Sequence, residues 1–465
     1  VSEQGEGAGA NTSEVDCVSE LFGKQVVVVG LGVSGVAAAR LCLRRGARVV
    51  ANDGRPREEL SEEARELERL GATIVAGGHA GARMHQADIV VVSPGVPHLA
   101  EIAAAEDKGA SVWGEVELAV RSMTLPAPVI AVGGTNGKST TTSLAGAILA
   151  AHGLRTFVGG NLGEPLADHA DERFDVVVLE VSSFQTERLD RFRPHVCALL
   201  NVTEDHLDRH PGLEAYARAK GNAFVRQTAT DWAVVPFGDA VCMRQARRGR
   251  GRTVTFGPAG DIEVGGASVI DRRTGEEYAS AEIALTGRHN MLNVAAAIAC
   301  VRPFRVGEDA VRRVLHEFRG LPHRTALVAE LRGISFYDDS KGTNVGAAVA
   351  ALEGLREEKA VLIAGGREKG GSYAPLAKAL ERKGRAAVLI GEAADTIARA
   401  IGDRVPLRRA ATMNEAVRVG ASLARTGDAV LLSPACSSFD MFRDYKHRGD
   451  EYVRAVRELE KEDAA

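Results

Sequence analysis

The chain has 465 residues, room for about three domains of roughly 150 residues each. Its 58 Lys and Arg against 62 Asp and Glu leave a formal net charge of −4, so no basic excess points to nucleic acid or an anionic membrane, and the expected partners are small molecules. No apolar run reaches the roughly 18 residues of a membrane span, and the six cysteines are too scattered for a disulfide framework or a structural zinc site, which fits a reducing cytoplasm.

Residues 1–22 lack the apolar core of a signal peptide and predict a disordered tail. From there short β-branched runs at 26–29, 48–51, 73–76 and 89–92 alternate with stretches rich in Ala, Leu, Arg and Glu, the pattern of βαβ units and a parallel sheet, giving a first domain over 23–122. Its first strand runs into Gly-Leu-Gly-Val-Ser-Gly at 30–35, and Asp53 follows the next strand. Gly32, Val33, Ser34 and Gly35 would let a diphosphate approach a helix N-terminus while Asp53 meets a ribose hydroxyl; spacing alone does not separate NAD from a UDP-sugar, or either from tight strand–helix packing. Ser93-Pro94-Gly95 after the fourth strand is a second rigid loop or an ordinary turn.

Two prolines within 124–128 mark a boundary, and a second domain is expected over 123–320. It opens with the apolar run 129–132, then Gly-Gly-Thr-Asn-Gly-Lys-Ser-Thr at 133–140, then a helix-prone stretch. A strand turning through Gly134, Thr135, Asn136 and Gly137 into a helix that begins with Lys138, Ser139 and Thr140 aims backbone N–H groups, a helix dipole and an ammonium at one point, which is a phosphate cradle. The usual P-loop has a glycine where Val132 stands, so this loop is short. Phosphoryl chemistry needs a divalent metal; Ser139 is the position that commonly meets Mg²⁺, and Glu180, ending the strand 175–179, is a Walker-B-like carboxylate or a solvated strand end. Ser182-Ser-Phe-Gln follows it, and Asn201-Val-Thr-Glu-Asp-His-Leu-Asp places His206 beyond the strand 196–201 at the same sheet edge. On spacing alone Lys220 is a surface-helix lysine. The turn-rich stretch 231–284 predicts a small antiparallel excursion.

Leu-Pro-His-Arg, ending at Arg324, marks a second hinge, and a third α/β domain is expected over 321–465 with strands at 334–337, 360–364, 386–390 and 429–432. Three loops end strands on one edge: Asp-Asp-Ser-Lys-Gly-Thr-Asn at 338–344 with Asp339, Lys341 and Thr343, Gly-Gly-Arg-Glu-Lys ending at Lys369, and Ser-Pro-Ala-Cys-Ser-Ser-Phe-Asp at 433–440. Each alone could be a plain turn; together they suit an anionic amino acid.

The phrases Gly-Thr-Asn-Gly-Lys-Ser-Thr, Leu-Glu-Val-Ser-Ser-Phe-Gln and the His-Leu-Asp segment, in this order over about 25–460, resemble the Mur ligases, ATP-dependent enzymes that join amino acids to cell-wall precursors. Leu-Pro-His-Arg, Asp-Ser-Lys-Gly-Thr-Asn and Ser-Pro-Ala-Cys-Ser-Ser-Phe-Asp look like the branch that adds D-glutamate to UDP-N-acetylmuramoyl-L-alanine, and the Asp-Asn-Pro-Arg phrase of the diaminopimelate- or lysine-adding branch is absent from the chain. The resemblance implies an α/β chain of three domains: a Rossmann-like N-terminal domain, a P-loop-type ATPase domain with a parallel sheet, and a Rossmann-like C-terminal domain. It replaces NAD with UDP at the first loop, adding Gly54, Asn161 and Ser182 to that site. ATP would meet Asn290, Asn293, Arg324, Asp339 and Lys341 besides the 134–140 loop, and D-glutamate would meet Thr343, Lys369, Ser438, Phe439 and Tyr445, the last where the family often has phenylalanine. Lys138, Glu180, His206 and Lys220 are the implied catalytic set. Ser139 and Glu180 would hold one Mg²⁺ and His206 with a carbamylated Lys220 the other, although His206 could instead serve as base for the incoming amine. A monomer is expected, with another amino-acid ligase of the family, or a non-catalytic nucleotide-binding regulator, as the alternatives.

Overall fold

The computed structural model describes residues 20–207, 209–285 and 287–464. Residues 1–19 of the expected tail, and Asp208, lie outside the described residues; the rest of the tail segment is a turn whose Leu21 is buried in the core.

Three parallel-rich sheets follow one another along the chain. The first contains β1 (Gln25–Val29), β2 (Arg48–Asp53), β3 (Thr73–Ala76), β4 (Ile89–Val92) and β5 (Ser111–Gly114), in the order β3-β2-β1-β4-β5 and parallel throughout. Val26 and Val28 pack with Leu41 and Trp113 on one face, Val27 and Val29 with Met84 and Ile102 on the other. Burial on both faces explains why the strand reads as an unbroken valine run rather than an alternation. The order reverses at β1, so the loops after β1 and β4 open a crevice at their carboxyl ends.

The second sheet runs β14-β13-β12-β11-β10-β9-β6-β8-β7. Its members are β6 (Val129–Gly133), β7 (Thr156–Gly160), β8 (Val176–Glu180), β9 (Val196–Leu199), β10 (Trp232–Pro236), β11 (Arg252–Gly257), β12 (Ile262–Val264), β13 (Ser268–Asp271) and β14 (Glu277–Ala279). The antiparallel excursion is narrower than the sequence predicts: β10 and β11 extend the parallel sheet, joined by a crossover over helix Ala240–Ala246, and only β12–β13 and β13–β14 pair antiparallel. The glycines at 249 and 251 close the short helix against residues 224–233 rather than forming a hairpin. The genuine reversals sit at Gly265-Gly266 and at the turn containing Gly275.

The third sheet has β15 (Ala326–Leu331), β16 (Ile334–Asp338), β17 (Ala360–Gly365), β18 (Gly384–Ile390), β19 (Leu407–Arg409) and β20 (Ala429–Leu432), ordered β15-β16-β20-β17-β18-β19, with β15 antiparallel at the edge. β15 and β19 escape the sequence reading because edge strands with alternating or short apolar content carry a weak signal.

The first two units are held together by buried acids. Both Glu117 oxygens accept backbone N–H bonds from Asp190, Arg191 and Phe192 at 2.8 to 3.0 Å, and Glu115 accepts from Ala167 N at 2.9 Å. These bonds tie the first unit to the second across 115–117, 167 and 190–192. Among the described residues no helix is long and apolar enough to cross a membrane.

Candidate active site

Three cavities run in series along the carboxyl edges of the sheets. The first, about 730 Å³, is lined by Gly32, Val33, Ser34, Asp53, Gly54, Ser93, Pro94, Gly95 and Asn161, with Arg55 and His79 added. Burial pushes the Asp53 carboxyl up, but hydrogen bonds from Arg55 and from Leu31 N outweigh it and hold the group down at about 2, so it is a carboxylate at neutral pH. The Arg55 fork on Asp53 brings a cation into the cavity that the sequence reading missed, although it stands two residues from a residue already singled out.

Two residues expected here do other work. Gly35 does not line the cavity: a Cβ there would sit 1.8 Å from the Gly30 carbonyl oxygen, so the glycine serves the packing of helix Val33–Arg44 onto the loop. Gly35→Ala would gain about 1 kcal/mol of helix propensity but force an overlap costing about 1–3 kcal/mol or more. A lower melting temperature than the parent chain is therefore expected, and a variant melting at or above it would reject the packing role. Ser182 lines the central cavity instead, and its hydroxyl caps helix Ser183–Thr186 in a reciprocal pair with Gln185.

The central cavity, about 260 Å³, gathers Lys138, Ser139, Glu180, His206, Lys220, Arg324, Lys341, Thr343 and Lys369. The loop 134–137 that floors it is tied to the segment after β9: Asn136 N donates to Asn201 Oδ1 at 2.9 Å and Asn201 Nδ2 donates to Asn136 O at 3.0 Å. Gly137 must be glycine, because its φ is +85° and a Cβ would lie 2.3 Å from Asn293 Oδ1. Lys138 Nζ donates to Thr135 O at 2.8 Å, and the Ser139 hydroxyl donates to Glu180, whose other oxygen accepts from Asn161 Nδ2 at 2.7 Å. Arg324 crosses from the third unit to donate to Ser139 Oγ.

Lys220 overturns the surface reading of its spacing. Tyr216 and Lys220 lie on the buried face of helix Leu213–Gly221; Lys220 Nζ stands 4.4 Å from the Tyr216 ring centroid and donates to Gly134 O at 2.8 Å. Burial, reinforced by Lys138, pushes its ammonium well below the usual lysine range. His206 adopts a left-handed backbone at φ +54°, with its ring edge on Phe184 at 5.0 Å and its Nε2 3.7 Å from Asp205.

Five basic side chains, Lys138, Lys220, Arg324, Lys341 and Lys369, thus share the chamber with two carboxylates, Glu180 and Asp205. Burial lowers the Lys138 ammonium against the opposing pull of Glu180, and brings Lys341 to about 8. Glu180 and Asp205 stay ionised because neighbouring lysines outweigh their burial. A site with this balance favours an anionic ligand.

The third cavity, about 450 Å³, shares Asn136, Gly137, Arg324 and Lys341 with the central one and adds Thr140, Asn290, Asn293 and Asp339. Pro236, Phe237, Phe256 and Leu292 give it an apolar side suited to a flat base, and none of these was visible as a motif. Burial raises the Asp339 carboxyl to about 7 against its hydrogen bond from Ser433.

Of the residues expected around an amino acid, Thr343 and Lys369 line the central cavity, with Lys369 Nζ 3.2 Å from Thr343 Oγ1. Tyr445 lies under Lys341, whose Nζ is 3.8 Å from the ring centroid. Ser438 and Phe439 line none of the three cavities: Ser438 is buried with its carbonyl accepting from Phe442 N, and Phe439 is 64% exposed. Asp205 and Asn344, which the sequence reading did not single out, join the site, Asn344 Nδ2 donating to Asp205 at 3.1 Å.

Family models match in the order of the three sheets: the Mur ligase MurD-like N-terminal domain over 24–114, the Mur ligase middle domain over 132–301, and the Mur ligase glutamate ligase domain over 323–436. The UDP-N-acetylmuramoylalanine--D-glutamate ligase of Trichlorobacter lovleyi is 43% identical over 95% of this chain and 100% of its own length. The corresponding ligase of Anaeromyxobacter dehalogenans is 45% identical over 94% and 98%. UDP-N-acetylmuramate-alanine ligase from Thermotoga maritima shares the fold, with a TM-score of 0.60 at 21% identity over 94% of this chain and 100% of its own. A pseudomurein peptide ligase type C from Methanothermus fervidus does so with a TM-score of 0.61 at 17% identity over the same shares. The matched models cover most of the chain and the two ligases are 43% and 45% identical over nearly its whole length, and the chain belongs to the Mur ligase family.

Proposed function

We propose that the chain is the ATP-dependent ligase that adds D-glutamate to UDP-N-acetylmuramoyl-L-alanine during peptidoglycan precursor synthesis, acting as a monomer in the cytoplasm. The observation that carries this reading is the joining of three cavities at one cation-rich chamber, through Asn161 on one side and Asn136, Gly137, Arg324 and Lys341 on the other. A long nucleotide-sugar peptide entering past Asn161, and ATP entering past Asn136, would meet end to end.

A free carboxylate is a poor electrophile, so ATP phosphorylates the terminal carboxylate of the alanyl group: a carboxylate oxygen attacks the γ-phosphorus and ADP leaves. The amine of D-glutamate then attacks the acyl carbon of the acyl phosphate, and inorganic phosphate departs as the amide forms. Lys138, the N–H groups of the 134–140 loop and Arg324 stabilise the transferring phosphoryl charge, the dominant contribution in chemistry that relies on positioning and electrostatics. Lys341 sits at the junction of the ATP and central cavities, and Thr343 and Lys369 orient the incoming dicarboxylate.

Among the described residues no three His, Cys, Asp or Glu side chains gather into a metal cage. The donor set still fits magnesium, which is held by one or two carboxylates together with phosphate oxygens and water. Ser139 and the buried Glu180 carboxylate would hold one ion, and His206 with a carbamate on Lys220 the other; bound there, the ions neutralise charge on the phosphate oxygens.

Offering the protein ATP, Mg²⁺, UDP-N-acetylmuramoyl-L-alanine and a panel of amino acids tests the reading. ADP release is expected with D-glutamate and not with L-glutamate, L-lysine or diaminopimelate. Release triggered by a different amino acid would assign another ligase of the family, and release without any amino acid dependence would leave only an ATPase.

A further inference from the structure

Arg448 is a second-turn residue of helix Tyr445–Ala464 and is 1% exposed. A guanidinium so deeply buried normally faces a carboxylate. Asp440, Asp338 and Asp339 act on this one electrostatically, but its hydrogen-bond acceptors among the described residues are the Ser340 hydroxyl and carbonyl at 3.1 and 2.9 Å, the Cys436 carbonyl at 3.2 Å and the Ser437 carbonyl at 3.2 Å.

Those acceptors belong to two of the three loops at the carboxyl edge of the third sheet. Ser340 stands in the loop after β16 that carries Lys341 and Thr343, and its hydroxyl also donates to Tyr445 O at 2.8 Å. Cys436 and Ser437 stand in the loop after β20 that continues into Ser438. The third loop, after β17, closes on the same point: Arg367 and Ser437 exchange backbone bonds at 3.0 and 3.1 Å, and a Cβ on Gly366 would lie 3.3 Å from Arg448 Nη1. That loop carries Lys369.

We propose that Arg448 is the positioning residue of the amino-acid pocket, its planar fork locking the loops after β16 and β20 in one register, and through Ser437 the loop after β17, so that Thr343 and Lys369 present one preformed surface to a dicarboxylate. The inference rests on the D-glutamate reading above. Arginine suits the task because its rigid fan of donors spans several carbonyls at once, which a lysine ammonium cannot do. Holding the loops ready reduces the ordering entropy that the amino acid would otherwise offset on binding.

The test compares Arg448→Met, Arg448→Lys and Arg448→Ala in the full chain, with KM measured separately for ATP, the UDP substrate and D-glutamate. Arg448→Met is expected to raise the KM for D-glutamate about 10- to 100-fold, the usual cost of losing a supporting residue around a site, while the KM for the UDP substrate, held in the first unit, moves by less than about threefold, as for distant sites, and that for ATP, which shares the β16 loop through Lys341, rises by less than the D-glutamate value. Arg448→Lys should fall between, and methylguanidinium should lower the D-glutamate KM of Arg448→Ala. If Arg448→Met does not fold, Ser340→Ala, which removes one acceptor of the fork, is expected to raise the D-glutamate KM selectively by a smaller factor. An unchanged D-glutamate KM in folded variants, or a parallel rise in all three KM values, would overturn the proposal. Failure of the parent chain to respond to D-glutamate would instead defeat the functional reading before any variant is compared.

Discussion

Lys138→Ala is expected to lose about 10³-fold or more in turnover, the scale on which removing a charge-stabilising group from phosphoryl transfer acts, while the affinity for UDP-N-acetylmuramoyl-L-alanine changes by less than about threefold. The two effects separate because of where the groups lie. Lys138 Nζ sits in the central chamber, bonded to Thr135 O and facing the charge of Glu180. The cavity proposed for the UDP end is built from the loops after β1, β2 and β4, and only Asn161 lines both. Removing the ammonium also leaves Glu180 with less opposing charge, which should weaken ATP affinity as well as the chemical step. Calorimetric titration of the variant with the UDP substrate, beside a steady-state assay, decides the matter. Equal losses of substrate binding and turnover would mean that the loop 134–140 does not hold ATP.

The parts of this site that could be read from the chain are those in which a short phrase contains its own physics. A strand, three glycines, a lysine and following hydroxyls at 133–140 define a phosphate cradle whatever surrounds them, and the structure builds a strand, loop and helix there. The unbroken valine runs likewise announce strands buried on both faces. What escaped depends on contacts distant in sequence. Nothing near Gly137 says that Asn293 will press against it, and nothing in Phe237 or Leu292 says that they will share a cavity with Asn290. The parallel pair β10 and β11 escaped the reading of 231–284 as an antiparallel excursion because the helix 240–246 between them is only two turns long and amphipathic periodicity needs more length to show. Ser438 and Phe439 carry a distinctive phrase, yet the structure leaves one with its carbonyl capping the following turn and the other in solvent. Arg448 had no signal at all, since a buried arginine paired with carbonyls is indistinguishable in sequence from a helix-surface arginine.

Lys220→Ala is expected to lose on the order of 10²- to 10³-fold in activity, comparable with removal of a preorganised charge in an active site, and millimolar acetate or formate should restore part of it. The argument starts from the amine. Lys220 is buried in the chamber wall, and burial next to Lys138 holds its ammonium well below the usual range, which favours the neutral, nucleophilic form. A neutral amine adds carbon dioxide, losing a proton and gaining a carboxylate-like terminus; beside the four basic side chains Lys138, Arg324, Lys341 and Lys369 and the two carboxylates of the chamber, that change adds a third anion where it is attracted rather than repelled. An unmodified ammonium here would instead oppose a divalent ion. Lys220→Arg should not be rescued, because the guanidinium keeps both its bulk and its charge. Isotope-labelled bicarbonate should give a carbamate resonance in the parent chain that is absent from both variants, a readout independent of turnover. Full activity of Lys220→Ala without added carboxylate would show that the buried amine is a structural donor to Gly134 and nothing more.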